Sequence, residues 1–293
     1  MADKQTTNVD AVSNNGHGHD YAAANKEFFD KSPEYSESYD TNPVYIDTTS
    51  KIATEMLKTH PFNKETTRMM DFACGTGLVS RVFIPHVKSL VGVDISQGML
   101  TQFDKRANEL EANDKAKVRS VCIEIKGEEG ELEKLGGEKF GVITCSMAFH
   151  HLSDLPKMTR ILVSFLNPGG ALMIADGQHG DSILGHAHGH GHDHGHGHHQ
   201  QEHGHGHHQH EHGHGQHDHD HDPAEPIKPD SEAFEQVVAH QHGFTDGAVK
   251  ELFEGAGLVD FTIRKEVARA KLWKDSDTEI VVFVAKGVKP LDA

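Results

Sequence analysis

The chain has 293 residues, 35% of them hydrophobic, and a formal net charge of −17 from 28 Lys and Arg against 45 Asp and Glu. An acidic chain without a basic stripe excludes nucleic acid and anionic membranes as expected partners, because their phosphates are bound by Lys and Arg. Its three cysteines, Cys74, Cys122 and Cys145, fall in predicted buried strands or in a turn and predict no disulfide framework. No apolar run reaches the roughly 20 residues of a membrane span, so we expect a cytoplasmic protein.

The first 60 residues divide into two parts. Residues 1–20 are polar and lack periodic apolar positions, so we expect them to be disordered. Two helices are predicted over 22–29 and 45–57, where apolar residues repeat at helical spacing. Ser32-Pro33 and Asn42-Pro43 are expected to break the chain between them.

Residues 66–96 form a strand, a glycine turn, a helix and a second strand. The run Met69-Met70-Asp71-Phe72 leads into Ala73-Cys74-Gly75-Thr76-Gly77, and the second strand ends on Asp94. Glycine lets a backbone turn sharply and approach a ligand. The following helix points its free N–H groups at the turn. An acid at the end of the second strand can accept two hydrogen bonds from a ribose diol. The pattern therefore predicts a nucleotide-type site.

The rest of the chain continues the alternation of strands and helices. A helix with Ser96 as its N-cap and a helix with Ser153 as its N-cap are predicted. A last helix is predicted over 244–256. The further predicted strands cover 117–125, 140–145, 171–176, 259–267 and 279–286. This order predicts an α/β fold with a doubly wound, mostly parallel sheet.

The spacing of the glycine turn separates two nucleotide-binding families. The NAD fingerprint needs a third glycine three residues after Gly77, and its absence disfavours an NAD-type dehydrogenase. The order Asp71-x-Ala73-x-Gly75-x-Gly77 resembles motif I of the class I S-adenosylmethionine (SAM) methyltransferases. The segment Gly92-Val93-Asp94-Ile95-Ser96 resembles their motif II. Ala73 stands where the family pattern has its first glycine.

The resemblance implies a Rossmann-like methyltransferase fold of seven strands, with an antiparallel seventh strand between the fifth and the sixth. In that family the glycine loop holds the methionine part of SAM, and the acid after the second strand holds the ribose. The family also places an acid or polar group near the adenine amino group, and the candidate for it in this sequence is Glu124. A helical segment before the core covers the cofactor as a lid; an ordinary capping pair of helices is the alternative here. The implied cofactor-binding residues are Asp71, Ala73, Cys74, Gly75, Gly77, Asp94, Ile95, Met99, Glu124 and Ser146.

Paired histidines follow the fourth predicted strand, at the end of a sheet where open α/β folds bind ligands. Residues 145–154 resemble motif IV of the small-molecule methyltransferases related to the ubiquinone and menaquinone biosynthesis enzymes. A hydroxyl, thiol or protonated amine acceptor needs a base, and histidine works near neutral pH. His151 is the candidate catalytic base, with a structural role as the alternative. For His150 the structural role is favoured.

Residues 186–221 form a low-complexity tract that contains 18 histidines. Such a segment cannot form an apolar core. Neutral imidazoles bind Zn²⁺, Ni²⁺ and Cu²⁺, so a divalent metal is a predicted partner of the tract. A passive surface insertion is the alternative, because long loops cost little free energy. No metal ligand can be named, since the repeats make all registers equivalent.

These patterns together predict the organisation and the function of the chain. The predicted function is SAM-dependent transfer of a methyl group to a small-molecule acceptor, with the acceptor atom (O, N, S or C) left open. The alternative is a protein that handles or senses metal on a methyltransferase-like scaffold. The predicted parts are a disordered N-terminus (1–20), a helical lid (21–60), a SAM-binding core (61–178), a His-rich insertion (179–230) and the C-terminal part of the core (231–293).

Overall fold

A seven-stranded sheet forms the centre of the molecule. The structure, a computed structural model, describes residues 19–31, 33–180, 231–271 and 279–292. The strand order is β3-β2-β1-β4-β5-β7-β6. The first five strands pair in parallel, and β7 runs antiparallel between β5 and β6. The predicted α/β fold is therefore confirmed. The strands are β1 (Arg68–Phe72), β2 (Ser89–Asp94), β3 (Val118–Cys122), β4 (Phe140–Ser146), β5 (Leu166–Gly177), β6 (Val259–Ala270) and β7 (Ile280–Val288).

Ten α-helices are found in the described ranges. They are α1 (Tyr21–Lys31), α2 (Pro33–Thr41), α3 (Pro43–Thr59), α4 (Leu78–Phe83), α5 (Gln97–Asn108), α6 (Ala112–Lys115), α7 (Glu131–Lys134), α8 (Leu155–Ser164), α9 (Ser231–Glu235) and α10 (Asp246–Gly255). None of those helices is both long enough and apolar enough to cross a membrane. The predicted disordered N-terminus lies outside the described residues except for its last two positions. The histidine tract lies outside them entirely.

Caps and prolines explain where several helices begin. Ser96 caps α5 as predicted, its side chain accepting a hydrogen bond from the Met99 N–H. The predicted cap Ser153 is wrong by one residue, because the Asp154 carboxylate accepts from the Lys157 N–H at the start of α8. The predicted breaks at Ser32-Pro33 and Asn42-Pro43 are confirmed, because α1 ends at Lys31, α2 runs from Pro33 to Thr41 and α3 begins at Pro43. Helix α2 itself was not predicted; its proline at the first helical position removes an N–H that no helical carbonyl would accept.

Tertiary pairing changes the predicted ends of two strands. Strand β5 begins at Leu166 rather than at the predicted residue 171, because Gly169 donates to the Lys289 carbonyl and Lys289 donates to the Gly170 carbonyl. Strand β3 ends at Cys122 rather than at residue 125. Cys122 is exposed, so its predicted burial is wrong; β3 is one of the two edge strands of the described sheet and has a neighbour on one side alone.

The sheet is covered on both faces by separate apolar clusters. Met69 and Met70 are neighbours in β1 that point to opposite faces, as strand geometry requires. Met69 packs with Ile52 of α3 and Phe83 of α4. Met70 belongs to the other cluster, with Phe253 of α10. Both methionines are 0% exposed. The clusters hold the strands rigidly, which fixes the positions of the loops at their carboxyl ends.

Gly92 in β2 lies where the chain has no room for a side chain. A Cβ there would be 2.7 Å from Cε2 of Phe103 and 3.0 Å from Sγ of Cys74. Overpacking of this kind costs about 1–3 kcal/mol. We expect Gly92→Ala to lower the free energy of unfolding by that amount in urea denaturation followed by circular dichroism. The control is Gly255→Ala, where a Cβ meets nothing within 4 Å; equal losses in both variants would contradict this packing.

Candidate cofactor and acceptor site

A cavity of about 340 Å³ opens where the parallel strands end. The ends of β1, β2 and β4, the loop after β3 and side chains from α1, α2 and α3 form its walls. Gly77 is the one predicted site residue that does not line it. The predicted residues that do are Asp71, Ala73, Cys74, Gly75, Asp94, Ile95, Met99, Glu124, Ser146 and His151.

The glycine turn has left-handed backbone at three alternate positions, with φ of 54° at Ala73, 54° at Gly75 and 83° at Gly77. A Cβ built on Gly75 would meet nothing within 4 Å, so this position faces open space in the cavity. At Gly77 a Cβ would lie 2.6 Å from the Phe103 ring. Gly75 therefore leaves room for a ligand, whereas Gly77 serves packing. Ala73 adopts a conformation that costs a non-glycine residue about 1–2 kcal/mol, which explains why the resembled pattern has glycine there.

Asp94 joins the glycine turn to the start of α5. Its Oδ2 accepts a hydrogen bond from the Gly75 N–H at 2.9 Å, and its Oδ1 accepts from the Ser96 N–H at 2.9 Å. Burial raises the pKa of Asp94 above its ordinary value, although these N–H bonds favour the charged form. A carboxylate has about four acceptor sites, so each oxygen keeps one for a ligand hydroxyl. The side chain is held in place and remains free to accept a diol.

Asp71 lies beneath the turn and is committed to the protein. Thr144 Oγ1 of β4 donates to its Oδ1 at 2.8 Å, and Ser80 Oγ of α4 donates to its Oδ2. Burial raises the pKa of Asp71 to about 6, against the lowering effect of the two hydroxyls. The carboxyl therefore ties β1, α4 and β4 together at the floor of the cavity.

The cavity wall also includes apolar side chains and the carboxylate of Glu124. Ile95, Met99 and Ile123 provide apolar surface against which a planar base could pack. Glu124 lies two residues beyond β3 and is exposed; its carboxylate forms an ion pair with Lys126 Nζ at 2.9 Å. Glu124 therefore lines the cavity with its carboxylate already paired to Lys126.

His150 is 3% exposed and binds a carboxylate that the sequence did not single out. Its Nδ1 lies 2.8 Å from Asp176 Oδ1, and its backbone N–H donates to Asp176 Oδ2 at 3.1 Å. Asp176 is 0% exposed and also accepts from the Gly177 N–H at 2.7 Å. These contacts fix the turn after β4 against β5 and support a structural role for His150.

His151 lines the cavity as a neutral imidazole. Its Nδ1 is 2.7 Å from the carbonyl oxygen of Val237. A carbonyl oxygen has no proton to give, so Nδ1 donates and Nε2 keeps its lone pair. Burial, and secondarily the neighbouring His150, lower the pKa of His151 to about 3. Phe29 and Phe234 stand edge-on to the ring, at 5.9 and 6.3 Å between centroids.

The N-terminal helices contribute contacts that no sequence pattern indicated. Asp30 of α1 accepts hydrogen bonds from Ser96 Oγ at 2.8 Å and from the Gly98 N–H at 3.0 Å. Asp40 of α2, with a side chain 1% exposed, pairs with Arg81 at 2.9 Å. Both carboxylates fasten the helices beside the glycine turn. Their partners are 41 to 68 residues away, too far for a local signal. The cavity residues of these helices are Ala22, Asn25, Phe29, Tyr39 and Thr49.

Residues 70–172 match a family model described as a methyltransferase domain. An uncharacterised methyltransferase of Schizosaccharomyces pombe is 27% identical over 225 residues, which are 76% of this chain and 64% of that protein. A ubiquinone biosynthesis O-methyltransferase of Coxiella burnetii is 25% identical over 107 residues, 36% of this chain and 42% of that protein. The chain thus spans less than two thirds of the length of either relative.

Solved methyltransferase structures share the fold at low sequence identity. Magnesium protoporphyrin IX methyltransferase from Synechocystis PCC 6803, with bound SAH, has a TM-score of 0.55 at 13% identity, covering 92% of this chain and 100% of that one. Phosphoethanolamine N-methyltransferase 2 of Haemonchus contortus, in complex with SAM, has a TM-score of 0.56 at 15% identity, covering 90% and 60%. The matched domain, the motif spacing and the strand order support a methyltransferase of class I, whose cofactor is S-adenosylmethionine.

Proposed function

We propose that this protein transfers the methyl group of SAM to a small-molecule acceptor whose reacting atom carries a proton. One observation supports this above all. A half-buried carboxylate with free acceptor sites, Asp94, shares a cavity with open space above Gly75 and with a neutral imidazole, His151. The first two features suit the cofactor, and the third suits proton removal from an acceptor.

The residues around the glycine turn fit the cofactor. The open space at Gly75 would take the methionine part, and Asp94 would hold the ribose hydroxyls. Ile95 and Met99 would pack on the base. The buried Ser146 Oγ, on the cavity wall, has no hydrogen-bond partner in the described ranges and would satisfy a polar group of the ligand. When bound, SAM supplies an electrophilic methyl group on a sulfonium centre.

His151 would remove the acceptor proton. The unprotonated Nε2 is the acceptor atom of the ring, and a pKa of about 3 keeps it unprotonated at neutral pH. The charge of Asp176 raises this pKa in part, so it also favours the imidazolium that forms when the proton arrives. Phe29 and Phe234 shield the ring, which limits competition from water. Orientation of the acceptor against the methyl group would supply most of the remaining acceleration.

Calorimetric titration of SAM into the wild-type chain and into Gly75→Val tests the proposal. The valine fills the open space and is strained at a φ of 54°. Filling that space costs up to about 3 kcal/mol of binding free energy, so affinity should fall roughly a hundredfold, whereas the backbone strain lowers stability rather than affinity. The control is Gly137→Val, where φ is 74° and a Cβ also meets nothing within 4 Å, away from the cavity. No SAM binding by the wild type, or equal losses in both variants, would refute the proposal.

The alternative function, handling or sensing of Zn²⁺ or Ni²⁺, rests on the 18 histidines of residues 186–221. These residues lie outside the described part of the chain. Within the described part, no group of three or more His, Cys, Asp and Glu could hold a metal ion. Metal binding without SAM binding in the same titrations would select the metal-handling function.

A further inference from the structure

The carbonyl group of Val237 lies between helix α1 and the proposed base. Its oxygen accepts two hydrogen bonds, from His151 Nδ1 at 2.7 Å and from Asn25 Nδ2 at 2.9 Å. One backbone group thus contacts both the N-terminal helices and the turn after β4. The position of this carbonyl depends on the contacts that the neighbouring residues of its segment make.

The peptide of Val237 is fixed from two sides. Phe234, Val237 and Val238 pack as one buried cluster against Ala24 and Phe28 of α1. On the other side, the His240 N–H donates to the His150 carbonyl at 2.9 Å. His240 Nε2 also lies 3.0 Å from the Leu152 carbonyl. The segment therefore bridges α1 and the turn that carries His151.

This arrangement selects the tautomer of His151. A neutral imidazole has one N–H, and the hydrogen bond made by one nitrogen decides which nitrogen carries it. With Nδ1 donating to Val237, the lone pair of Nε2 is available for a substrate proton. With the proton on Nε2 instead, the ring would be a donor, and it could not act as a base there.

The buried side chain of Asn25 donates a hydrogen bond to the Val237 carbonyl. The residue is 6% exposed, and its Nδ2 donates to two carbonyls, those of Tyr21 at 2.7 Å and of Val237 at 2.9 Å. Two directed bonds from one amide nitrogen fix the plane of the amide. Five residues later, Asp30 fastens the same helix to the start of α5 beside Asp94. Helix α1 therefore connects the cofactor side of the cavity to the base.

We propose that Asn25 is a positioning residue, which sets the tautomer of His151 through the shared carbonyl of Val237. The proposal rests on the function proposed above, since it assigns an orienting partner to that base. Without Asn25, the Val237 peptide loses its bond to α1 and the His151 ring is free to exchange tautomers. In the wild type, the contact of α1 with the Val237 carbonyl and the tautomer of His151 are therefore coupled.

Nuclear magnetic resonance of the full chain labelled with ¹⁵N-histidine tests this. Two-bond ¹H–¹⁵N correlations distinguish protonated from unprotonated ring nitrogens, and the His151 signals are those lost in His151→Ala. At pH 5 an ordinary imidazole is protonated, whereas His151, with a pKa of about 3, stays neutral, and the His151→Ala spectrum separates it from His60, whose pKa burial lowers to about 4. We expect a single Nδ1–H tautomer in the wild type. Asn25→Leu should give a mixture in which Nε2–H is populated.

The control is Glu27→Ala, on the exposed face of α1, which should keep the wild-type spectrum. If Asn25→Leu fails to fold, Asn25→Ser, which cannot reach both carbonyls, should show the same mixture. A wild-type proton on Nε2, or an unchanged Nδ1–H tautomer in a folded Asn25 variant, would overturn the proposal. The spectra need no SAM, so a failure here is distinguishable from a failure of SAM binding in calorimetry.

Discussion

Replacing Asp94 with alanine is expected to weaken SAM binding roughly tenfold to a hundredfold. Charge-assisted hydrogen bonds are worth about 1.5–3 kcal/mol, and the variant loses those to the ribose hydroxyls. It also releases the Gly75 N–H and the Ser96 N–H, which the carboxylate holds at 2.9 Å each. Isothermal titration calorimetry of SAM into both proteins measures the change.

Asp104→Ala is the matched control for Asp94. Asp104 is an exposed acid of α5 that accepts a hydrogen bond from Ser120 Oγ and does not line the cavity. Its loss should leave SAM affinity unchanged. Unfolding of the ligand-free variants should be measured alongside, because two released N–H groups also affect stability. If Asp94→Ala binds SAM as tightly as the wild type does, Asp94 does not hold the ribose.

Replacing His151 with alanine is expected to lower turnover by about 10²–10⁴, the usual contribution of a general base. The affinity for SAM should stay within a few-fold, because the ring contacts the Val237 carbonyl and two phenylalanines rather than the glycine turn. Turnover is measured as SAH release in the presence of a methyl acceptor. The calorimetric half of the experiment needs no acceptor.

His150→Ala separates catalysis from structure at the same turn. It removes the ring that bonds to the buried Asp176, and an unsatisfied buried group costs about 1–3 kcal/mol or more if charged. We expect lower stability in this variant, whereas His151→Ala should mainly lose turnover. A comparable loss of SAM binding in His151→Ala would assign a structural role to that residue too.

Protonation of His151 should also contribute to acid sensitivity. Its folded pKa, about 3, lies below the ordinary value of 6.5, so the unfolded chain binds this proton more readily. Above pH 6.5 the titration of His151 does not affect stability. As the pH falls from 6.5 toward 3, it lowers the free energy of unfolding progressively. Urea denaturation across this range should therefore show a smaller acid loss in His151→Ala than in the wild type.

Local sequence was sufficient for the unit at the centre of the fold. The run from β1 through the glycine turn to Asp94 lies within 27 residues, and its glycines are dictated by backbone geometry. The left-handed φ at Gly75 and the lack of space for a Cβ at Gly92 both favour glycine at these positions. The spacing of apolar residues in strands and helices likewise reflects which face of each element is buried. These signals are short-range, so they can be read from the chain.

Only the tertiary structure decided which hydrogen bonds hold the side chains of the site. Asn25 and Val237 are 212 residues apart, and His151 and Val237 are 86 apart, so no local pattern relates them. The acceptor in both bonds is a backbone carbonyl, which every residue possesses and which leaves no trace in the sequence. The sequence by itself therefore placed His151 after β4, at the ligand end of the sheet. The tautomer of its ring follows from a peptide group that folding brings to it.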